Sequence, residues 1–391
     1  MDVIAGRLEA VRAQMKATGC DALVVPRADE YLGEYIPAHN ERLHWLSGFT
    51  GSAGFVLVTA SEAAIFVDGR YTVQVRQEVS PELFQYRRLG DDPHVDWLAA
   101  QLPAGAVVAC DARMHSLRWY RDTQAALTAA DLELVATDHN LIDACWHDRP
   151  APLVTAALLL DEHYTGEASS LKRERIGAQI AARGAQLALI FAPDSISWLF
   201  NIRGTDIPKL PVVQGMALLE SDGQATLLVD PARVPEGFAG HVGEGVTVCP
   251  EVEAASVLAG YGGRTVLADP DTANAWSQLV LENGGARLLP GSDPVLLPKA
   301  CKNLIEIQGS RNAHIRDAVA EVRFLAWLDS EVAAGRLHDE DGLARQLLSF
   351  REQGEYFQDV SFDSISAAGP NAAMCHYNHL NAANPASLPM N

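Results

Sequence analysis

Residues 7–26 read RLEAVRAQMKATGCDALVVP, and residues 173–193 read RERIGAQIAARGAQLALIFAP. Each stretch is a helix pattern, then a glycine, then a short apolar run. In the first, Ile4, Leu8, Val11 and Met15 recur at helical spacing and so share one face. Gly19 and Gly184 stand where a helix C-cap needs a residue that enters the left-handed region freely. The apolar runs that follow are short enough to be buried strands.

The likeness continues outward from these two stretches. WLSGF from Trp45 answers WLFNIRG from Trp198. GFVLVTASEAAIFVDGR (54–70) answers GMALLESDGQATLLVDPAR (215–233), each reading as two strands around a polar turn. VVACD (107–111) answers TVLAD (265–269), and Trp119 answers Trp276. Self-similarity that keeps the order of so many elements predicts one fold used twice. The expected units are α/β domains over 1–150 and 158–297, and Trp45 and Trp198 read as core.

The segment between the copies, HDRPAPLVTAALLLDEHYTGEAS (147–169), reads as a linker lying along the surface. The first copy also carries extra residues before its tryptophan, RADEYLGEYIPAHNER (27–42). Insertions at loop sites often carry function, and a tolerated surface loop explains this one equally well.

Composition narrows the class. A chain of 391 residues is long for one domain and suggests about two or three. Apolar residues make up 48%, enough for several cores, with no apolar run of the ~18 residues that a membrane span needs. MDVIAGRLEAVRAQM at the start reads as an amphipathic helix and not as a signal peptide. The net charge of −20 is spread along the chain, which argues against nucleic acid as a partner. The six cysteines are far apart and form no C-x-x-C pair, so reduced structural thiols and a cytoplasmic location are expected.

From about residue 299 the repeat ends. KNLIEIQGSRNAHIRDAVAEVRFLAWLDSEV (302–332) predicts one long helix, with Ile315, Val319, Val322, Leu325, Leu328 and Val332 on a single face. Asn303 followed by Glu306 has the form of a capping box. A second helix is expected over about 340–353, closing at Gly354. VSFDSISAAGPNAAMCHY (360–377) then reads as short strands around a Gly-Pro-Asn turn. Two helices and a hairpin's worth of strand resemble the beginning of a third domain, over 299–391.

Five motifs together resemble one family. EYIPAHNERLHWLSGFTGSAG (34–54), FVDGRY (66–71), ISWLFNIRGTDIP (196–208), KNLIEIQGSRNAHIRDAVA (302–320) and SAAGPNAAMCHY (366–377) are similar, in order, to the three-domain Xaa-Pro aminopeptidases of the creatinase, or pita-bread, superfamily. The resemblance implies an α/β fold class: two tandem creatinase-N-like domains and the N-terminal part of a pita-bread catalytic domain. It implies removal of an N-terminal residue that precedes proline, often by a homodimer. It also implies two divalent metal ions, manganese by preference, held by two Asp, a His and two Glu on later motifs. Those motifs do not follow His376, so a chain truncated before them, binding no metal and inactive by itself, is the expectation.

The same resemblance marks site residues. His376 matches a histidine that contacts substrate beside the metals, and Arg70 matches an arginine that reaches the bound peptide from the first domain. A bond before proline lacks an N–H and restricts the preceding residue, so ordinary peptidase clefts fit it badly. Neutral imidazole can donate one hydrogen bond to the peptide, and a guanidinium can fork onto a carbonyl or carboxylate. Without the resemblance, His376 is a half-buried core residue on a strand and Arg70 a surface partner of Asp68. His314 in NAHIRDA is shared with the family and is expected to pack between helices. His376 and His379 make a poor metal pair, because positions three apart on a strand face opposite ways. His379 stands where the family has proline, whereas Asn384 matches it. Two other readings stay open: a non-catalytic pita-bread module binding peptides or proteins, and creatine-type amidino hydrolysis, which goes with a single N-terminal domain.

Overall fold

The computed structural model describes residues 3–381, and Asn384 lies outside them. The first copy builds a six-stranded sheet from β1 (Ala22–Pro26), β2 (Gly54–Thr59), β3 (Ala63–Val67), β4 (Gln85–Arg88), β5 (Val107–Cys110) and β6 (Glu133–Ala136), in the order β4-β3-β2-β1-β5-β6. Two short strands, β7 (Leu158–Leu159) and β9 (Ile202–Arg203), pair separately. The second copy uses β8 (Leu187–Ile190), β10 (Met216–Glu220), β11 (Ala225–Leu228), β12 (Val246–Cys249), β13 (Thr265–Ala268) and β14 (Arg287–Pro290), in the order β12-β11-β10-β8-β13-β14. Both sheets have the same directions: antiparallel on one side of the founding strand, as in β1/β2, and parallel on the other, as in β1/β5. The repeat read from the sequence is thus a repeat of strand order and polarity.

The opening motifs fold as their spacing requires. Leu8, Val11 and Met15 of the Val3–Thr18 helix are buried against the first sheet. Gly19 and Gly184 end their helices at φ 74° and 79°. Those left-handed values let Cys20 and Ala185 donate back to Met15 and Ile180 and satisfy the last helical carbonyls.

The two copies meet through equivalent helix starts. Ser116 caps the Leu117–Ala129 helix and Asn274 caps the Ala275–Asn283 helix. These two caps form a β-bridge with each other. Across the seam Ala275 N donates to His115 O (2.7 Å) and Arg118 N to Pro270 O (2.9 Å).

The 27–42 insertion closes the same seam and is no free surface loop. Tyr31 packs with Phe191, Leu189 and Met216 in the core of the second copy. Its hydroxyl donates to Glu251. Asn274 Nδ2 donates to Glu30 O (2.8 Å), and Gln214 Nε2 to the carboxyl of Asp29 (3.2 Å), which is 1% exposed. Arg42 anchors the far end through a two-pronged pair with Asp143 (2.7 and 2.9 Å).

The third segment opens on the expected capping box: Asn303 Oδ1 accepts from Glu306 N, and Glu306 Oε2 from Asn303 N. The helix it starts spans Leu304–Ala333, and a second spans Glu340–Glu352. Ile315, Val319, Val322, Leu325 and Val332 are exposed along the first. Glu306 Oε1 also accepts from Trp198 Nε1 (2.9 Å), which ties this helix to the second copy. Beneath that tryptophan the ammonium of Lys172, fully buried, sits 3.9 Å from the ring centroid and donates to Trp198 O and Asn201 Oδ1. The linker is held as well, with Thr155 bonded to Asp206 and Ala157 N to Arg233 O.

One expectation is corrected. Residues 360–377 form no strand; Gly369–Ala373 is a 3-10 turn in an otherwise irregular segment. A strand exists through its ladder, and no described edge pairs with this segment.

Candidate functional site

The two residues marked from the sequence converge on Tyr71. Strand β3 ends at Val67, and Asp68 caps the tight turn Gly69–Tyr71 by accepting from Arg70 N (2.9 Å). The turn points Tyr71 inward and Arg70 outward. Tyr71 is buried, edge-on to Phe49 (5.6 Å), with its hydroxyl 2.7 Å from Ser52 Oγ. The Arg70 guanidinium lies 5.2 Å from the Tyr71 ring centroid and forks onto Asp68 through Nε and Nη2. His376 covers the same ring at 5.8 Å, tilted by 48°. Two segments some 300 residues apart in sequence therefore share one aromatic platform.

Charge follows this geometry. The Asp68 carboxyl is held below its ordinary range, chiefly by the Arg70 guanidinium, with His376 acting in the same direction. The Arg70 side chain is 41% exposed. An exposed ion pair of this kind is weak and exchangeable, so the fork can be re-aimed at a ligand.

His376 is held by its neighbours and not by a strand. Tyr377 is buried and donates to Glu340 Oε2 (2.7 Å). Asn371 Nδ2 donates to the Tyr377 hydroxyl (3.1 Å), and Ala368 N to Glu340 Oε1 (2.6 Å). Burial first, and Glu340 second, push the Tyr377 phenol up to about 12. Glu340, 2% exposed, is thus the hub of the 368–377 segment, and sequence reasoning missed it. The available signal was an acidic residue in the first turn of a helix just after its cap Asp339, a pattern too common to single it out.

The other histidines part company. His379 is buried, with Nε2 3.4 Å from Asp341 Oδ1, whereas His376 is exposed. His314, expected to pack between helices, is exposed, and its Nδ1 lies 2.8 Å from Ser310 O of its own helix. It sits on a helix face that nothing described covers.

Beside the platform runs an open groove of ≈720 Å³ lined by Gly69, Thr72, Val73, Arg76, Gln77 and Arg88. A second cavity of ≈660 Å³ lies where the third segment joins the second copy, between Trp198, Arg175, Leu297 and Glu306.

The comparisons agree with this architecture. Residues 7–145 and 148–306 each match a model described as a creatinase/prolidase N-terminal domain. The chain belongs to the creatinase/prolidase family. It is 33% identical to a probable Xaa-Pro aminopeptidase P of Tuber melanosporum over 95% of this chain and 63% of that protein. It is 31% identical to aminopeptidase P1 of Arabidopsis thaliana over 91% and 62%. Among solved structures, an X-prolyl aminopeptidase from Caenorhabditis elegans, described as a cytosolic enzyme with a di-nuclear active site, superposes with a TM-score of 0.91 at 28% identity. That match covers 97% of this chain and 64% of the other. The chain therefore spans about three fifths of the curated relatives it matches.

A creatinase/prolidase chain of this branch invites a test for metal. Among the described residues no group of three or more His, Cys, Asp or Glu side chains is placed to hold an ion. His376 faces Tyr71 and Asp68, and His379 faces Asp341, so neither contributes to a donor set. The described part of the chain does not fit a di-nuclear centre. No described helix is long and apolar enough to cross a membrane.

Proposed function

We propose that this chain provides the framework and the substrate rim of an Xaa-Pro aminopeptidase, which releases the first residue of peptides with proline second. The observation that carries the reading is the shared platform: Arg70 from the first copy and His376 from the third segment flank one tyrosine. In this reading the units are 1–150, 158–297 and 299–391, the last being the start of the catalytic domain. His376 donates a hydrogen bond to the peptide, and Arg70 swings from Asp68 to grip a carbonyl or carboxylate farther along. The two divalent ions of the reading, manganese by preference, have their donors outside the described residues. The relatives' names, and the di-nuclear, cytosolic description of the C. elegans enzyme, support the class of reaction and a cytoplasmic home. A homodimer belongs to the same reading.

The test is release of the first residue from Xaa-Pro peptides, with and without manganese. A longer gene product that includes the metal-ligand motifs is expected to cleave only with metal, and the 391-residue chain not at all. Arg70→Ala and His376→Ala should each weaken the longer enzyme. Binding without cleavage by that longer product, metal present, would favour the non-catalytic module and sink the peptidase reading.

A further inference from the structure

The groove beside the platform has a composition out of keeping with the chain. The protein carries 50 acidic and 30 basic residues, yet the groove's only charged lining residues are Arg76 and Arg88. It begins at Gly69 and Thr72, which bracket Arg70 and Tyr71, the tyrosine whose ring His376 meets. Arg76 lies over the Tyr86 ring (5.3 Å) and, among the described residues, has no ion-pair partner. Arg88 pairs with Asp91 at 3.0 Å, with both side chains 60% exposed. That pair is loose enough to yield to a competing carboxylate.

We propose that this groove is a carboxylate-recognition subsite for the part of the peptide that lies beyond proline. Arg76 and Arg88 would grip an acidic side chain or the peptide's own C-terminal carboxylate. The proposal rests on the Xaa-Pro reading, since it is that reading which lays a peptide across the platform. Charge complementarity selects the occupant. Two guanidiniums in an open groove present forked donors suited to carboxylate geometry. The lining itself offers a cationic tail no carboxylate, and the neighbouring Asp91 is held by Arg88, so Arg76, unpaired among the described residues, leaves an excess of positive charge that favours an anionic tail.

The test is fluorescence anisotropy with dye-labelled peptides and the 391-residue chain at low ionic strength. One series holds Xaa-Pro fixed and places Glu or Gln at two later positions; another varies a free against an amidated C-terminus. The expected result is about two- to tenfold tighter binding of the Glu peptide, the sum of two exposed pairs. This preference should vanish in Arg76→Gln/Arg88→Gln and collapse at 0.5 M salt. Loss on amidation alone would identify the terminal carboxylate as the occupant, and loss on Glu→Gln alone the side chain. Either supports the subsite. Glu and Gln peptides that bind alike, free and amidated alike, overturn it, even if proline and His376 still matter, and the Xaa-Pro reading then survives. If the acidic preference persists when alanine replaces proline and His376→Ala is silent, the subsite stands and the Xaa-Pro reading falls. Arg76 and Arg88 are both exposed, so the double variant should keep the wild-type melting curve.

Discussion

Replacing Asp29 by Asn should make the protein more stable at neutral pH and much less so in mild acid. The Asp29 carboxyl is buried inside the 27–42 insertion, the strap that joins the two copies, and burial, aided by Glu30, lifts it from 3.8 to about 6 against the pull of the Gly33 and Tyr31 amides. A carboxyl raised in the folded state stabilises fully only below its unfolded value, and that contribution is lost as pH rises through the folded one. Two-state linkage with these values puts the penalty at about 1 kcal/mol at pH 4.5 and about 3 kcal/mol from pH 7.5 upward. Asparagine mimics the protonated acid. Its Oδ1 can keep the bonds from Gly33 N and Tyr31 N, and a flipped Gln214 amide can accept from its Nδ2. The stability of D29N minus that of wild type should therefore grow by about 2 kcal/mol between pH 4.5 and 7.5. Urea unfolding of both proteins at each half pH unit measures this difference. A wild-type profile alone would hide it, because His115 titrates over the same range in the opposite sense. A difference that stays flat, or shrinks with rising pH, would refute the argument that the strap holds a strained carboxylate.

Three further outcomes are expected. Burial, with a smaller push from His94, drives His115 down to about 3, so its contribution is lost as pH falls from 6.5; His115→Phe keeps a ring on Trp119 and should reduce acid destabilisation at pH 4.5 by about 3 kcal/mol in calorimetry. Glu306→Ala removes half of the capping box and the acceptor of Trp198 Nε1, which should cost about 1–3 kcal/mol and raise hydrogen exchange in the first turn of the Leu304–Ala333 helix. Tyr377→Phe strips Glu340 and Asn371 of a shared partner; exchange at Ala368 and Asn371 should quicken about tenfold or more while the global unfolding midpoint barely moves.

What could be read from the residues was what repeats. Helical spacing, glycine caps and paired apolar runs are local and periodic, so the two sheets and the Asn303 box were legible before any coordinates. The 360–377 segment reads as short strands from its residues, but a strand exists only where a partner edge does, and partners are not written locally. The strap could not be assigned for the same reason. Nothing in RADEYLGEYIPAHNER says that Tyr31 enters another unit's core, since that depends on where Phe191 and Glu251 are carried by a different sheet. Glu340 escaped notice because its value lies in burial, which composition does not encode.

The two copies, alike in strand order, have divided their work through the loop that follows the founding strand. In the first copy, Trp45 stacks on Trp146 (5.7 Å) and carries Arg7 on its ring (4.9 Å). In the second copy no such loop intervenes, and the equivalent Trp198 offers its indole N–H to Glu306 at the root of the third segment. The second copy thus carries that segment at its root, and the first meets it at its tip, where Tyr71 faces His376. The distance between His376 and Arg70 is then set by how the two copies sit on each other, which is the business of the strap. A substitution that loosens the strap, such as Tyr31→Ala, which empties its place beside Phe191 and frees Glu251, should on this reasoning reach the candidate site although it touches neither residue, whereas one at Arg7 should not. Peptide affinity measured on Tyr31→Ala and on Arg7→Gln separates the two, and equal shifts in both would mean that the seam does not govern the rim.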